Sequence, residues 1–266
     1  MLTTHRATDG IDVITSAFPI PGYGLVPINA FVLHGPEPLL VDTGAVVDRD
    51  DFMEALGTVI DPMDLRWIWL THTDFDHIGS LHRLLDINPD VRVLTSFLSV
   101  GAMTLTDPLP LDRVHLVVPG ERLPVAGRVL TAMRPPSFDN PATVGFLDGD
   151  TGAYVSSDCF GALLQDVPQT AAGLSESDLR AGQHLWATID SPWLHQMDRR
   201  LFEENLDRVR QLKPSVVLSS HLPVASGDMV ELLTRNLSEV PAAEPFVGPD
   251  QQALEAMLAA MTHGAA

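Results

Sequence analysis

Four side chains that commonly bind metals, those of His72, Asp74, Asp76 and His77, fall within six consecutive residues. In an extended segment, residues two apart point the same way, so His72 and Asp74 can hold one ion together. A bend after this pair would let Asp76 and His77 face a second ion. A helix N-cap needs only one acidic residue, so capping by Asp76 does not account for the whole set. The spacing therefore indicates a site for two metal ions.

The elements around this segment must present it at the edge of a sheet. It directly follows Trp67–Leu70, a short apolar run typical of a buried strand. Open α/β sheets place functional residues at the carboxyl ends of such strands. A second buried strand is predicted at Leu39–Asp42, and helical spacing of apolar residues predicts a helix at Arg49–Ile60.

The rest of the chain alternates strands with helices, which favours sheets packed between helices. No internal repeat or long linker interrupts the pattern, so we predict a single domain over residues 1–266. Further strands are predicted at Ile11–Ile14, Ile28–His34, Val91–Leu94, Val114–Val118, Val129–Met133, Thr143–Leu147, Tyr154–Ser156 and Ser215–Leu218. Further helices are predicted at Ile78–Leu85 and His195–Leu212, with short C-terminal helices at about 226–262.

The ligand-rich segment resembles the HxHxDH signature of the metallo-β-lactamase superfamily, and the resemblance extends over most of the chain. Leu40–Gly44 is similar to the LxDTG strand of that superfamily, whose Asp supports a metal-binding histidine from behind. That role falls here on Asp42, and a ligating imidazole does need its other N–H held. The resemblance also implies that Asp158 is the ligand shared by both ions and that His221 is the last ligand. The fold it implies is α/β, the αβ/βα sandwich of two mixed β-sheets flanked by helices.

Asp74 departs from the hydrolases of this superfamily, which have a histidine at that position. A carboxylate there is typical of the flavodiiron branch, which has HxExDH and carries iron. Two further segments resemble the same branch: Ile78–Leu81 is similar to its DHSGSL continuation, and Asp158–Gly161 to its DAFG. The chain therefore resembles an HxDxDH variant of the flavodiiron and oxygen-binding diiron proteins.

Asp139 marks a second departure. Asp139–Thr143 aligns with the HWPDS segment of the flavodiiron branch, whose histidine is a ligand of the first iron. Asp139 is either a metal ligand in place of that histidine or a solvated loop residue. Ser137, His184 or water are the alternatives that would complete the ligand shell.

The hardness of the ligands bears on the identity of the metal. With Asp139 included, the candidates are four carboxylates and three imidazoles, so two divalent ions would form a neutral centre. Ligation rich in oxygen suits iron or manganese better than zinc, although zinc also accepts carboxylates. We expect two metal ions, with iron as the first choice and zinc or manganese as alternatives.

Flavodiiron proteins also carry an FMN-binding domain. Only a short tail follows His221, far less than the ~150 residues of a typical domain, so no FMN domain is expected in this chain.

Two functions follow from these observations. In the first, a non-haem diiron centre binds O2 or NO. In its fuller form, this hypothesis includes reduction of the bound O2 or NO, which requires an external electron donor. In the second, a dinuclear metal-dependent hydrolase cleaves an ester, lactone or phosphoester. Asp76 would then hold and deprotonate the attacking water, whose pKa the metals lower toward about 7. Tyr23 is a candidate hydrogen-bond donor at the metal mouth. The sequence leaves a homodimer open.

Composition limits the partners and the compartment. The chain has 35 acidic and 16 basic side chains, a net charge of −19, which repels phosphate backbones and anionic lipid heads. Nucleic acid and membranes are therefore poor partners. The N-terminus lacks a basic start followed by an apolar run, so no signal peptide is predicted. The single cysteine, Cys159, suits a reducing cytoplasm.

Overall fold

The computed structural model describes residues 2–263, and their side chains through residue 259. Two mixed β-sheets form its centre. The first sheet runs in chain order through β1 (Thr3–Thr8), β2 (Ile11–Ile20), β3 (Gly24–Leu33), β4 (Leu39–Val41), β5 (Trp67–Trp69), β6 (Arg92–Thr95) and β7 (Val114–Leu116). The second consists of β8 (Arg122–Val125), β9 (Arg128–Met133), β10 (Gly145–Asp148), β11 (Ala153–Ser157), β12 (Val216–Ser219) and β13 (Ala225–Ser226), in the spatial order β13-β12-β11-β10-β9-β8.

Helices cover the outer faces of both sheets. They are α1 (Arg49–Val59), α2 (Leu81–Ile87), α3 (Phe97–Thr104), α4 (Glu176–Asp190), α5 (Arg199–Leu212) and α6 (Val230–Glu239). A further helix, α7 (Gln251–His263), follows them in the chain. In the part of the chain that the structure describes, none of them is long and apolar enough to span a membrane. The layers are therefore helix, sheet, sheet and helix, which confirms the predicted α/β sandwich.

Three apolar cores hold these layers together. The inner faces of the two sheets share one core, in which the rings of Trp69 and Phe146 lie 4.6 Å apart. A second core packs α1 and α2 on the first sheet, and a third packs α4, α5 and α6 on the second. Because Trp69 is buried, its indole N–H needs a partner and donates to the carbonyl of Val144, 2.9 Å away. This bond joins the two sheets directly below the ligand-rich segment.

Parallel strands deliver the candidate site residues to one edge of the sandwich. In the first sheet, β4, β5 and β6 run parallel, with Val41 opposite Trp69 and Trp69 opposite Leu94. In the second sheet, β11 and β12 run parallel, with Ser157 opposite Ser219. The carboxyl ends of parallel strands lie at the same edge, and that edge is where α/β sheets bind ligands. The residues that follow each of these strands are therefore neighbours in space.

Several elements differ from those predicted. The helix predicted at Ile78–Leu85 begins at Leu81, and the one predicted at His195–Leu212 begins at Arg199, where Asp198 accepts a capping bond from the Leu201 N–H. A short 3-10 helix, Pro192–Gln196, takes up the missing start. These shifts are of the size usual for helix ends read from sequence.

The sequence pattern also missed β1, α3 and the 15-residue helix α4. Strand β1 lies at the edge of its sheet and is largely polar, so it lacks an alternating apolar pattern. Helix α4 buries small or polar residues, among them Gly182, Gln183, Ala187 and Thr188. Such a face carries little of the hydrophobic periodicity by which a helix is recognised.

Candidate metal centre

The ligand-rich segment turns tightly after β5. The His77 N–H donates to the carbonyl of Asp74 at 2.9 Å, which closes a turn with Phe75 at its exposed tip. The backbone of Thr43 holds the end of this turn, because the Thr43 N–H donates to the carbonyl of His77 at 2.7 Å. Gly44 next to it has φ +72°, and a side chain there would meet the ring of Phe52. The bend predicted between the two ligand pairs is therefore present.

Three imidazoles point their Nε2 atoms into a common space. The rings of His72 and His77 lie 4.0 Å apart, and those of His77 and His221 5.5 Å apart. Each ring is held from behind at Nδ1, by Ser157 Oγ at 3.2 Å for His72, by Asp42 Oδ2 at 2.8 Å for His77 and by the Pro27 carbonyl at 2.8 Å for His221. A ring whose Nδ1 is held in this way offers Nε2 to a metal ion.

Asp42 is the centre of the supporting network. Its Oδ1 accepts from the Thr71 N–H and its Oδ2 from the Thr71 hydroxyl, both at 2.8 Å, in addition to the His77 ring. Asp42 has φ 56° and Ser157 has φ 52°, a region that costs side-chain-bearing residues about 1–3 kcal/mol. Such conformations persist only where the surroundings enforce them. Both residues stand directly behind the imidazoles.

Asp158 lies between two groups of candidate ligands. Its Oδ2 is 3.3 Å from His72 Nε2, while its Oδ1 is 3.3 Å from His77 Nε2 and 3.2 Å from His221 Nε2. Only 4% of its side chain is exposed. One oxygen therefore faces each group, which is the arrangement that a carboxylate shared by two ions requires.

The other acids divide between the same two groups. Asp74 and Asp139 each place an oxygen 3.9 Å from His72 Nε2. Asp76 faces the opposite group, at 3.5 Å from His77 Nε2 and 3.4 Å from His221 Nε2. The structure thus brings together all seven residues that the sequence singled out as ligands, Asp139 included.

Unpartnered polar atoms show what this space is suited to hold. Among the described residues, His72 Nε2, His77 Nε2 and Asp158 Oδ1 are buried without a hydrogen-bond partner. Leaving such atoms unpaired costs about 1–3 kcal/mol each, and more where the group is charged. Ligand atoms of His72, His77 and Asp158 lie within 4.8 Å of one another, as do those of Asp76, His77 and His221 and those of His72, Asp74 and Asp139. The donor set and its burial fit a pair of metal ions.

Burial and neighbouring charges have opposite effects on the pKa values of the central residues of the site. Burial lowers the pKa of His72. For His77, burial would lower the pKa, but the carboxylates of Asp76, Asp158 and Asp42 raise it well above its usual value. Burial likewise would raise the pKa of Asp158, yet the surrounding histidines hold it well below its ordinary range. The central carboxylate is therefore ionised and depends on neighbouring positive charge.

Two features of the site were not anticipated from sequence. The indole of Trp186 stacks on His221 with centroids 4.4 Å apart, and its Nε1 donates to the Asp158 carbonyl at 3.1 Å. Asp190 joins Asp139 and Asp158 in a fourth group, made of acids alone, whose oxygens lie within 4.8 Å of one another. Both residues lie on α4, a helix that the sequence pattern did not predict because its buried residues are mainly small or polar. The spacing of Trp186 and Asp190, four residues apart and so on one face of a helix, was the local signal that could have linked them.

Three other candidates lie away from the imidazoles. The ring of Tyr23 packs against Phe246 with centroids 5.6 Å apart, so its role as a donor stays a prediction. His184 bonds instead to the Asn236 carbonyl at 2.9 Å and lies 3.3 Å from Glu239. Ser137 forms hydrogen bonds with Cys159, and burial raises the pKa of that thiol to about 12. Asp139 is thus better placed than His184 or Ser137 to complete the shell.

Comparison with known proteins shows what the chain is similar to. Residues 23–100 match the model of the metallo-beta-lactamase superfamily, a span that includes Asp42 and the ligand segment from His72 to His77. The fold resembles that of the rubredoxin oxygen:oxidoreductase of Desulfovibrio gigas, with a TM-score of 0.77 at 18% identity over 92% of this chain and 63% of that one. Residues 23–100 are therefore similar to the metallo-beta-lactamase superfamily, and the fold of the described chain is similar to that of this oxidoreductase.

Curated proteins with similar sequences include flavoproteins and an oxidoreductase. A putative diflavin flavoprotein A 1 of Thermosynechococcus vestitus is 30% identical over 135 residues, 50% of this chain and 24% of that protein. The rubredoxin-oxygen oxidoreductase of Megalodesulfovibrio gigas is 24% identical over 180 residues, 66% of this chain and 45% of that protein. The chain thus spans less than half the length of these relatives. Proteins named flavo-diiron proteins are among those that it resembles in sequence and in fold.

Proposed function

We propose that this protein is a non-haem diiron protein that binds and reduces O2 or NO. The observation that carries the proposal is the position of Asp158, with one oxygen facing His72 and the other facing His77 and His221. The carboxylates around it favour iron over zinc, because hard oxygen ligands suit iron and manganese. His72, Asp74, Asp76, His77, Asp158 and His221 would hold the two ions, and ferrous iron there would supply electrons for reduction of a diatomic ligand.

The cavity at the mouth of the site supports a small uncharged ligand. Its volume is about 420 Å³, and its wall includes Phe18, Val26, Val47, Phe75 and Trp186. Asp74 and Asp76 supply the charge of this wall, and no basic residue within the described chain lines it. Negative charge in a cleft repels anions, which disfavours a phosphoester and leaves a neutral diatomic molecule unaffected.

The chain's own residues would bind the centre, orient it and limit access of water. Asp42, Ser157 and the Pro27 carbonyl orient the three imidazoles, and Trp186 covers His221 on the cavity side. Electrons would come from an external donor. A homodimer remains part of this proposal only as an expectation from sequence.

Metal analysis of protein made in iron-replete medium tests the proposal. About two irons per chain, a charge-transfer band and oxidation of the reduced protein by O2 or NO would support it. Two zincs per chain with esterase activity would instead support the dinuclear hydrolase, in which Asp76 holds the attacking water. The result that would falsify both hypotheses is a folded chain without bound metal after reconstitution.

A further inference from the structure

Asp190 is the last residue of α4 and brings a further carboxylate to the candidate metal centre. One of its oxygens lies within 4.8 Å of an oxygen of Asp139 and one of Asp158. Its Oδ2 accepts a hydrogen bond from the Ser191 hydroxyl at 2.8 Å. Ligands of one ion with bonds of about 2.1 Å lie at most about 4.2 Å apart, so a small side-chain rotation brings the three acids to one ion.

This position is electrostatically unfavourable unless a cation is near. The C-terminus of a helix carries partial negative charge, so an acidic residue in the last turn is normally destabilising. Asp190 also lies beside two other carboxylates, one of which belongs to the buried Asp158. Asp139, Asp158 and Asp190 thus place three carboxylates close together, and a cation between them would relieve their mutual repulsion.

A second observation indicates a ligand at the same place. His72 is fully buried, and its Nε2 has no hydrogen-bond partner. That nitrogen lies 3.3 Å from Asp158 Oδ2 and 3.9 Å from Asp139 Oδ1, so it points into the acidic cluster. A nitrogen lone pair and several carboxylate oxygens around one enclosed space are the donors that iron and manganese accept.

We propose that Asp190 is a further ligand of the metal ion held by His72, Asp74, Asp139 and Asp158. The inference rests on the proposed dinuclear centre and extends it. Asp190 and Asp139 together would take the place of a single neutral imidazole. The centre would then have five carboxylates, Asp74, Asp76, Asp139, Asp158 and Asp190, against the 4+ of two divalent ions. An excess of negative charge at one position favours a hard or more highly charged ion there and disfavours zinc.

The competing explanation is that Asp190 only closes the helix through Ser191. The two explanations predict different metal binding. If Asp190 only supports the helix end, Asp190→Asn leaves both metal-binding steps unchanged, because the amide oxygen of Asn can still accept the bond from Ser191. If Asp190 is a ligand, the same change weakens one binding step, because an amide is a weaker metal ligand than a carboxylate.

The experiment uses the full chain in apo form, titrated anaerobically with Fe(II) in a calorimeter and with Mn(II) followed by electron paramagnetic resonance. Asp190→Asn should weaken one of two binding steps by about 10-fold or more, the scale set by loss of a partner of a metal ligand, and leave the other unchanged. Asp190→Glu should recover part of the affinity because it keeps the carboxylate. Asp178→Asn, the same substitution at the exposed start of α4, is the matched control and should bind as the wild type does.

The outcomes separate the two proposals. Wild-type protein that binds two ions, with Asp190→Asn binding both at unchanged affinity, would overturn the role of Asp190 and leave the dinuclear centre intact. Wild-type protein that binds no ion would overturn the proposed function and this inference together. A fall in both binding steps with a lower apo melting temperature would show a structural role and also overturn the inference.

Discussion

The two halves of the candidate metal centre differ in the donors that they offer. On one side, a single imidazole, His72, faces the oxygens of Asp74, Asp139 and Asp158. On the other, two imidazoles, His77 and His221, face Asp76 and the second oxygen of Asp158. We call these the oxygen-rich half and the nitrogen-rich half.

They also differ in how many buried and anchored ligands they hold. The imidazoles have side chains only 1–2% exposed in both halves, but the nitrogen-rich half has two of them, anchored by Asp42 and the Pro27 carbonyl, and the oxygen-rich half has one. The acids are more exposed in both halves, with side chains 33% exposed for Asp76, 43% for Asp74 and 30% for Asp139. Asn140 Nδ2 donates to Asp74 Oδ1 at 2.8 Å and restrains that one acid. Since ordered ligands lose less conformational entropy on binding, we expect the nitrogen-rich half to take the first ion.

The largest effect is expected from the residue that joins the halves. Asp158→Ala removes a ligand from both, so the metal content should fall from two ions per chain to one or none. Elemental analysis after reconstitution measures this. Asp148→Ala is the control, because Asp148 is a buried acid paired with Arg128 outside the site. It should lower stability yet keep both ions. Retention of two ions by Asp158→Ala would contradict the shared-ligand assignment.

A change confined to the nitrogen-rich half should come next. Asp42→Asn weakens the acceptor that holds His77 Nδ1, so affinity at this half should fall by about 10–100-fold, while the oxygen-rich half is spared. Calorimetric titration of the apo-protein with Fe(II) resolves the two steps. Asp12→Asn removes a comparable bond, to His34 at 2.7 Å and far from the site, and should change neither step. Equal weakening of both steps by Asp42→Asn would show that the halves are not independent.

A change confined to the oxygen-rich half is expected to be smaller. Asp139→Ala should weaken one step by about 10-fold or more, or at least about 1.4 kcal/mol of binding free energy. Asp139→His should keep both irons and raise the reduction potential, because a neutral ligand stabilises the oxidised state less than a carboxylate does. Redox titration of the two variants and the wild type measures the potential. Superimposable binding curves for all three would remove Asp139 from the site and leave it a solvated loop residue.

The smallest change concerns which metal is chosen. Asp74→His adds a softer donor and removes a negative charge from the oxygen-rich half, and both changes favour zinc. The variant should contain a higher ratio of zinc to iron than the wild type when both metals are supplied equally. Elemental analysis of the competed samples gives this ratio. An unchanged ratio would place the selectivity in other ligands, with Asp190 as the first to examine.

The local sequence was sufficient to predict the fold class and the central segment of the candidate site. The strands at Trp67–Leu70 and Leu39–Asp42 are continuous apolar runs, and such runs are typical of strands buried on both faces. Ligands placed directly after them are restricted by the strand ends, so a short segment such as His72 to His77 could be interpreted without a structure. Asp158 and His221 were found through their family motifs, and they too follow buried strands, β11 and β12.

Only the tertiary structure showed how the candidate ligands divide between the two halves of the site and which further carboxylate lies beside them. Nothing in the spacing of Asp74 and Asp76 assigns one to His72 and the other to His77 and His221, because that division depends on the turn after β5 and on the packing of two sheets. Asp190 was not identifiable, since it stands alone at the end of a helix whose buried face is made of small and polar residues. Its place beside Asp139 and Asp158 arises from the packing of α4 on the second sheet. Contacts between residues so far apart in sequence leave no periodic or local trace, and only the folded chain brings them together.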